Sequence, residues 1–150
     1  MKWTNFEESN KEYPEKIVEK SIEGFYQATK GLAEVVISEV DDFGRLSAKV
    51  PGDFKFKVVL ISPYVKGYSL KLLTFGYDVE LNPIYFVAEE AIHQEIYKEP
   101  LKYGYHMVCK DGEGFSKTLE KIFSSKRFIE TVSGLMKIAR KNAQSRDENL

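Results

Sequence analysis

The sequence predicts an α+β fold, in which an N-terminal amphipathic helix, an antiparallel β-meander of about five to six strands and a C-terminal helix or helix pair pack together. Three observations support this prediction. Apolar residues recur with a helical period near both ends of the chain, they alternate with polar residues in the middle, and turn residues separate the alternating runs. Strands bracketed by helices are typical of a sheet whose helices cover one face.

The size of the chain favours one domain. It has 150 residues, of which 43% are hydrophobic and 30% are charged, and a chain of this length buries a sizeable core. We therefore predict a single domain over 1–150. The polar stretches 1–12 and 142–150 are expected to be frayed ends.

The first predicted helix runs from Pro14 to Lys30. Proline suits the first helical position, and Gly31 suits the residue just past the helix end. Gly24 is the weak point, because glycine costs about 1 kcal/mol relative to alanine inside a helix. The apolar stripe, at steps of three to four residues, consists of Ile17, Val18, Ile22, Phe25, Tyr26 and Leu32.

Strand patterns begin after Gly31. The β-rich run LAEVVISEV and the alternating run RLSAKV flank the turn residues DDFG. Two further alternating runs, FKFKVVL and YSLKL, predict an antiparallel hairpin in the middle of the sheet, with a loop of about five residues. The residues predicted to face inward are Phe54, Phe56, Val58, Leu60, Tyr68, Leu70 and Leu72.

Two later runs, PIYFV and YGYHMVC, are also predicted to be strands. The segment AEEAIHQEIYKE between them is ambiguous. Ala88, Ile92 and Ile96 fit one face of a helix, whereas Ile92, Gln94 and Ile96 fit one face of a strand. We favour a strand for this segment.

Helical period returns after the turn KDGEG. Apolar residues recur at helical steps from Phe115 to Ala139. Ser124 and Ser125 either divide this region into two helices or lie on a continuous one. In both cases the C-terminal part is predicted to pack on one face of the sheet.

Residues suited to catalysis are scarce. His93 and His106 are the two histidines, and Cys109 is the single cysteine. On a strand, Cys109 and His106 would point to opposite faces, so a thiol–imidazole dyad is disfavoured and a buried structural cysteine is predicted. Glu90 and His93 would share a helix face, but di-metal sites use that pair twice. The common nucleotide, zinc and hydrolase motifs are missing. We predict no catalytic residue, no metal and no cofactor, and favour a non-enzymatic role.

Composition also disfavours several partners and locations. The 22 basic and 23 acidic residues leave a formal net charge of -1, so no overall field attracts nucleic acid. No apolar run approaches the roughly 20 residues of a membrane-spanning helix. The first ten residues lack the pattern of a secretory signal, and one cysteine fits a reducing compartment. A cytoplasmic location is therefore expected.

Charge is uneven along the chain. Between 78 and 99, six acidic residues occur with one lysine, and between 115 and 150, eight basic residues occur with four acidic ones. The two poles either neutralise each other within the fold or are solvated, or the acidic pole docks on a basic partner. The loop PYVKGY is richer in aromatic residues than a turn requires, so it is either a turn only or a contact loop.

The predicted function is binding of another protein, in the manner of an immunity protein, antitoxin, inhibitor or adaptor. The predicted partner-binding residues are Tyr64, Lys66, Tyr68, Glu89, Glu90 and Glu95. The alternative is a domain that binds or processes a small molecule in a pocket between sheet and helices, where Tyr64, Lys66, Glu90 or His93 would converge. An exposed edge strand would also allow two copies to pair.

Overall fold

A computed structural model of the protein describes residues 1–41 and 49–148. The predicted α+β class is confirmed. The fold contains a five-stranded antiparallel sheet, with helices at the N-terminal and C-terminal ends of the chain. Most of the predicted strand RLSAKV lies outside the described residues. In chain order the elements are α1 (Pro14–Ser21), α2 (Phe25–Ala28), β1 (Glu34–Glu39), β2 (Phe54–Ile61), β3 (Ser69–Tyr77), β4 (Ile84–Ala88), α3 (Glu90–Tyr97), β5 (Met107–Cys109), α4 (Gly112–Phe123) and α5 (Lys126–Glu148).

The sheet is a simple meander. Its strand order is β1-β2-β3-β4-β5, and every neighbouring pair is antiparallel. β1 and β5 therefore form its two edges, and β3 lies at its centre. None of the helices in the described ranges is both long and apolar enough to cross a lipid bilayer.

The central hairpin contains a bulge that the alternation pattern does not reveal. Val58 pairs with Leu73, but the next residue, Val59, pairs with Lys71, so Leu72 is the extra residue on β3. A bulge of this kind reverses the inward and outward positions on the strand that carries it. On β3 after the bulge, the residues that face the core are Leu73, Phe75 and Tyr77.

The core lies between the sheet and the helices. The ring of Phe75 on β3 lies 5.4 Å from that of Phe56 on β2 and 5.4 Å from that of Phe115 on α4. Phe115 also approaches Phe86 on β4, with ring centroids 6.5 Å apart. Aromatic pairs at these separations add to the stability gained by burying their apolar area. The helices thus cover one face of the sheet, and we call the opposite face the open face.

The N-terminal helix begins at Pro14 as predicted but does not continue to Lys30. It ends at Ser21, and Gly24 follows with a φ of +84°. This left-handed conformation suits glycine and is incompatible with a continuous α-helix. The single turn α2 then starts in a new direction, so the apolar stripe is shared by two short elements.

The strand predicted for the segment before residue 98 is wrong. Glu90–Tyr97 forms α3, because Glu89 caps the helix by accepting a hydrogen bond from the amide of Ile92 (2.9 Å) and Lys98 ends it in the left-handed region. A side-chain oxygen that accepts from an amide of the first turn satisfies one of the donors that the start of a helix leaves without a partner. The capping residue therefore decides what the apolar spacing left ambiguous.

The predicted strand YGYHMVC is shorter than expected. Only Met107–Cys109 pairs with β4, and Gly104 before it adopts a φ of +78°. A left-handed glycine is typical of a turn and interrupts extended pairing. Tyr103 and Tyr105 therefore lie on a loop and not on the sheet.

The C-terminal region is a helix pair, divided at the two serines. The Ser125 hydroxyl donates to the carbonyl of Ile122 (2.7 Å) and accepts from the amide of Phe128 (3.2 Å). Serine in this position ends one helix and caps the next. The second helix, α5, then continues to Glu148.

Candidate binding surface

A row of side chains crosses the open face at the middle of the sheet. Lys57 on β2 pairs with Thr74 on β3, which pairs with Val87 on β4. Val59 lies two residues after Lys57 on β2, so its side chain points to the same face as that of Lys57. Lys71 pairs with Val59 and therefore also points to this face. Directly opposed residues on neighbouring strands have Cβ atoms about 4.5–5.5 Å apart, so these side chains form one continuous patch.

This row lines a hollow of about 530 Å³, which we call the sheet hollow. Both signs of charge surround it. None of the ion pairs between described residues involves its three lysines. Its charged residues are Lys49, Lys57, Lys71, Glu39, Asp41, Glu89 and Glu90.

Thr74 forms the floor of the sheet hollow. The Thr74 residue is only 7% exposed to solvent. Its hydroxyl group is not one of the buried side-chain atoms that lack a hydrogen-bond partner among the described residues.

Exposed aromatic and apolar residues lie on β5 and on the loop before it. Tyr103 is 92% exposed, Tyr105 is 64% exposed and Val108 is 56% exposed. Val108 pairs with Tyr85 on β4, whose ring contacts that of His106 edge-on at 5.4 Å. We call Tyr85, Tyr103, Tyr105 and Val108 the tyrosine edge.

Two lysines lie over the rings of the tyrosine edge. The Lys49 ammonium is 5.1 Å from the centre of the Tyr103 ring, and the Lys102 ammonium is 5.5 Å from that of Tyr105. Cation–π contacts at this distance hold a positive charge close to the aromatic face. The tyrosine edge is thus both apolar and positively charged.

The predicted contact loop packs on the C-terminal helix. Asn142 on α5 donates a hydrogen bond to the carbonyl of Tyr64 (2.8 Å), and the Arg146 guanidinium lies 5.8 Å from the centre of the Tyr64 ring. Tyr68 packs against the core, and Lys66 at the tip is exposed. The loop therefore serves as the turn of the hairpin and as a contact for α5, and Lys66 is its exposed charge.

Two of the three predicted acidic residues hold the start of α5. The Glu95 carboxylate accepts hydrogen bonds from the amides of Lys126 (2.7 Å) and Arg127 (3.0 Å). Glu89 accepts from the Arg127 side chain (3.4 Å) as well as capping α3. Glu90 is exposed. The two charge poles thus contact each other within the fold, although these acids are not fully buried.

Replacing Glu95 with glutamine is expected to lower the urea midpoint of unfolding at pH 7. The two amide hydrogen bonds lower the pKa of the Glu95 carboxyl, so the stabilisation is complete above the ordinary glutamate pKa of about 4.3 and disappears as the pH falls through the lowered value. Urea unfolding of both proteins from pH 7 down to pH 3 measures this difference. Glu90→Gln is the matched control, and an equal loss in both variants would contradict the capping role.

Neither of the pairs weighed for chemistry, Cys109 with His106 and Glu90 with His93, shares a site, although His93 and His106 line the same small hollow. Cys109 is buried, with its sulfur 3.5 Å from the Thr118 hydroxyl, and burial raises the pKa of the thiol. His106 contacts Tyr85 instead. His93 is buried, and its Nδ1 has no hydrogen-bond partner among the described residues. It borders a hollow of about 80 Å³, far below the roughly 300–1,000 Å³ of ligand pockets.

The four side chains of the small-molecule alternative do not share a cavity in the part of the chain that is described. Glu90 lines the sheet hollow, His93 lines the smaller one, and Tyr64 contacts α5. No group of three or more histidine, cysteine or acidic side chains within 1–41 and 49–148 is placed to hold a metal ion.

Sequence reasoning did not select the residues of the open face. Thr74 would face inward if the alternation of YSLKL continued without the bulge. Tyr103 and Tyr105 were placed on a strand. The clearest available signal was the alternating lysines of FKFK, which mark the outward side of β2, and Gly104, which marks a turn between two tyrosines.

Comparison with protein-family models, curated proteins and solved structures finds no match in any of the three.

Proposed function

We propose that this protein acts in the cytoplasm by binding another protein, as immunity proteins, antitoxins, inhibitors and adaptors do. The tyrosine edge is the contact surface in this proposal. The observation that supports it is the exposure of Tyr103, Tyr105 and Val108, which lie on the edge strand β5 and on the loop just before it. Clustered exposed apolar groups with a polar surround are typical of protein interaction sites.

Tyrosine is well suited to this role. It contributes a large contact area with few rotatable bonds to immobilise, and it is enriched among the residues that dominate binding energy. β5 is also an edge strand of three residues, and the backbone groups of an edge are able to pair with another chain. The tyrosine edge therefore combines side-chain and backbone contacts.

The charge of this surface indicates an acidic partner. Lys49 and Lys102 lie over the exposed rings, and complementary charge steers association. The acidic residues predicted to bind a basic partner contribute less, because Glu89 and Glu95 already bond to α5. Glu90 and Lys66 stay accessible for contacts outside the tyrosine edge.

The test compares the wild type with the double variant Tyr103→Ala, Tyr105→Ala. Proteins captured from the native host by the wild type and lost by the variant are purified and titrated against both. We expect the variant to bind at least about tenfold more weakly, since interface tyrosines commonly contribute more than 1 kcal/mol each. Added salt should weaken the wild-type complex.

The matched control is Tyr13→Ala, Tyr26→Ala, which removes two exposed tyrosines at α1 and α2. Equal affinity of all three proteins would contradict the proposal, as would failure of every captured protein to bind after purification. Sedimentation of the wild type and the Tyr103→Ala, Tyr105→Ala variant is run in parallel. Self-association that the variant abolishes would identify a second copy of the chain as the occupant and overturn the acidic partner.

A further inference from the structure

We infer that the small hollow beside His93 takes up a threonine or serine side chain of the protein partner, whose hydroxyl group hydrogen-bonds to the His93 Nδ1 atom. We call this space, of about 80 Å³, the histidine hollow. The inference rests on the proposed function, since the inserted side chain belongs to the proposed partner. It is supported by a buried nitrogen atom without a hydrogen bond, by the size of the hollow and by the position of its mouth.

His93 supplies a buried polar atom that the fold leaves without a partner. The residue lies on α3, is only 4% exposed and lines the histidine hollow. Its Nδ1 is the single buried side-chain nitrogen or oxygen atom within 1–41 and 49–148 that lacks a hydrogen bond. Folded proteins pair nearly all such atoms, so an exception calls for an explanation. A polar group from a bound partner would satisfy this one.

The lining of the histidine hollow changes from its interior to its mouth. Phe86 and His93 are buried and Met107 is half-buried, whereas Glu99 and Lys102 are exposed. The interior is therefore mostly apolar and the charged groups lie near solvent. Burying a charge without a partner is costly, so the interior favours an uncharged group.

The size of the histidine hollow suits one short side chain. An apolar cavity of about 150 Å³ binds benzene. By the same measure, about 80 Å³ has room for roughly three or four non-hydrogen atoms, as in the side chain of threonine. Pockets for larger ligands commonly measure roughly 300–1,000 Å³. A single side chain of a partner therefore fits better than a free ligand of that size.

A hydroxyl group is the neutral group that best satisfies Nδ1. In a neutral imidazole this nitrogen either donates or accepts, and a hydroxyl group does both, so it pairs with either tautomer. A carboxamide would also pair, but its second polar group would lie unpaired against the apolar lining, which is unfavourable. The Nδ1 atom is enclosed by its neighbours, so the contact requires the lining to yield. Methionine side chains such as Met107 adapt readily to a neighbouring group.

The two histidines and the glutamate of the histidine hollow do not form a metal site. His93, His106 and Glu99 all line it, but no three such side chains in the described ranges are placed to hold a metal ion. Hydrogen bonding is therefore the chemistry that this arrangement offers.

The mouth of the histidine hollow opens on the proposed contact surface. Tyr105 belongs to the tyrosine edge, the Lys102 ammonium lies 5.5 Å from the centre of its ring, and both residues line the hollow. A partner that packs on Tyr105 and is attracted by Lys102 therefore lies at the opening. Protein interfaces commonly place their strongest contacts in pockets of this kind.

The first experiment uses the full chain alone, with 2-propanol as the probe because it reproduces the end of a threonine side chain. The titration is followed by the nitrogen chemical shifts of labelled histidine and by amide shifts. We expect saturable changes at His93 Nδ1 and at the amides of Leu101 and Met107. Acetate, which is of similar size but charged, should cause no saturable change there. Xenon fills apolar cavities without hydrogen bonding and reports whether the hollow persists in each variant.

His93→Leu should weaken 2-propanol binding at least about threefold, the effect of losing one hydrogen bond, and should leave xenon binding unchanged. His106→Leu is the matched control for the same chemical change. His106 is half-buried, and its ring contacts Tyr85, so this variant should leave the affinity for 2-propanol unchanged. Equal 2-propanol affinity of the wild type and His93→Leu would contradict the role of the nitrogen atom.

The second experiment titrates the purified partner against the same variants. His93→Leu should weaken partner binding at least about threefold, and His106→Leu should not. Each threonine of the partner is then replaced by valine and each serine by alanine. One of these replacements should weaken binding to the wild type and cause no further loss with His93→Leu, as a double-mutant cycle requires of two groups in contact.

The outcomes separate this inference from the proposed function. Partner binding that is lost with Tyr103→Ala, Tyr105→Ala but unchanged with His93→Leu would overturn the inference and leave the proposed function intact. Partner binding that the tyrosine variant leaves unchanged would overturn the contact surface and the inference with it. Saturable 2-propanol binding by a chain that captures no partner would overturn the partner as the source of the hydroxyl group.

Discussion

Phe75→Ala is expected to lower the free energy of unfolding by about 3–5 kcal/mol, the range for truncating a fully buried phenylalanine. Phe75 is completely buried at the centre of the sheet. Its ring contacts Phe56 on the neighbouring strand and Phe115 on α4. Truncation removes the contact with Phe56 within the sheet and the contact with Phe115 on the helix. The neighbouring strands are rigid, so surrounding side chains cannot move far enough to fill the cavity.

Urea unfolding followed by circular dichroism measures this effect through the midpoint and slope. Phe6→Ala is the matched control, because the Phe6 side chain is 78% exposed and exposed positions usually change stability by less than about 0.5 kcal/mol. A loss below about 1 kcal/mol in Phe75→Ala would contradict the central position assigned to this ring.

Gly76→Ala is expected to destabilise the fold by about 1–3 kcal/mol, the usual range for overpacking. A Cβ atom at Gly76 would lie 2.3 Å from the carbonyl oxygen of Pro51 and 3.3 Å from a methyl group of Val50. The nearer atom belongs to the backbone, so no side-chain rotation relieves the overlap. The segment Val50–Gly52 must move away from the open face.

Gly134→Ala is the matched control for the same chemical change. Gly134 lies within α5 and has open space where a Cβ atom would be placed. Alanine there should stabilise the protein by up to about 1 kcal/mol. Equal stability of Gly76→Ala and the wild type, with unchanged amide shifts at Val50, would contradict the close approach.

The Gly76→Ala experiment also bears on the binding surface. Gly76 pairs with Tyr85 of the tyrosine edge and lies two residues from Thr74 of the sheet hollow. Displacing the segment that carries Lys49 would remove a positive charge from the Tyr103 ring. We therefore expect this variant to weaken binding of an acidic partner more than its loss of stability explains.

The elements with one clear period were predicted correctly from the sequence. The apolar alternation of FKFKVVL produced β2, PIYFV produced β4, and Pro14 marked the start of α1. The serine pair before Lys126 was recognised as a dividing point, although its hydrogen bonds were needed to show that two helices result.

Errors occurred where a single residue overrides the pattern. One extra residue, Leu72, exchanges the faces of β3, and no composition signal marks it. Glu89 selects a helix for a segment whose apolar spacing also fits a strand. Gly24 and Gly104 adopt left-handed conformations that break elements expected to be continuous.

The sequence by itself determined the class of fold and the elements with one clear period, such as β2 and β4, because local periodicity is sufficient for these. Only the tertiary structure decided which polar groups lie next to each other. Glu95 bonds to α5, 31 residues away along the chain, and Lys57 faces Thr74 only because the bulge shifts the register. Such pairings depend on contacts distant in sequence, and a surface composed of them becomes visible only once the strands and helices are packed.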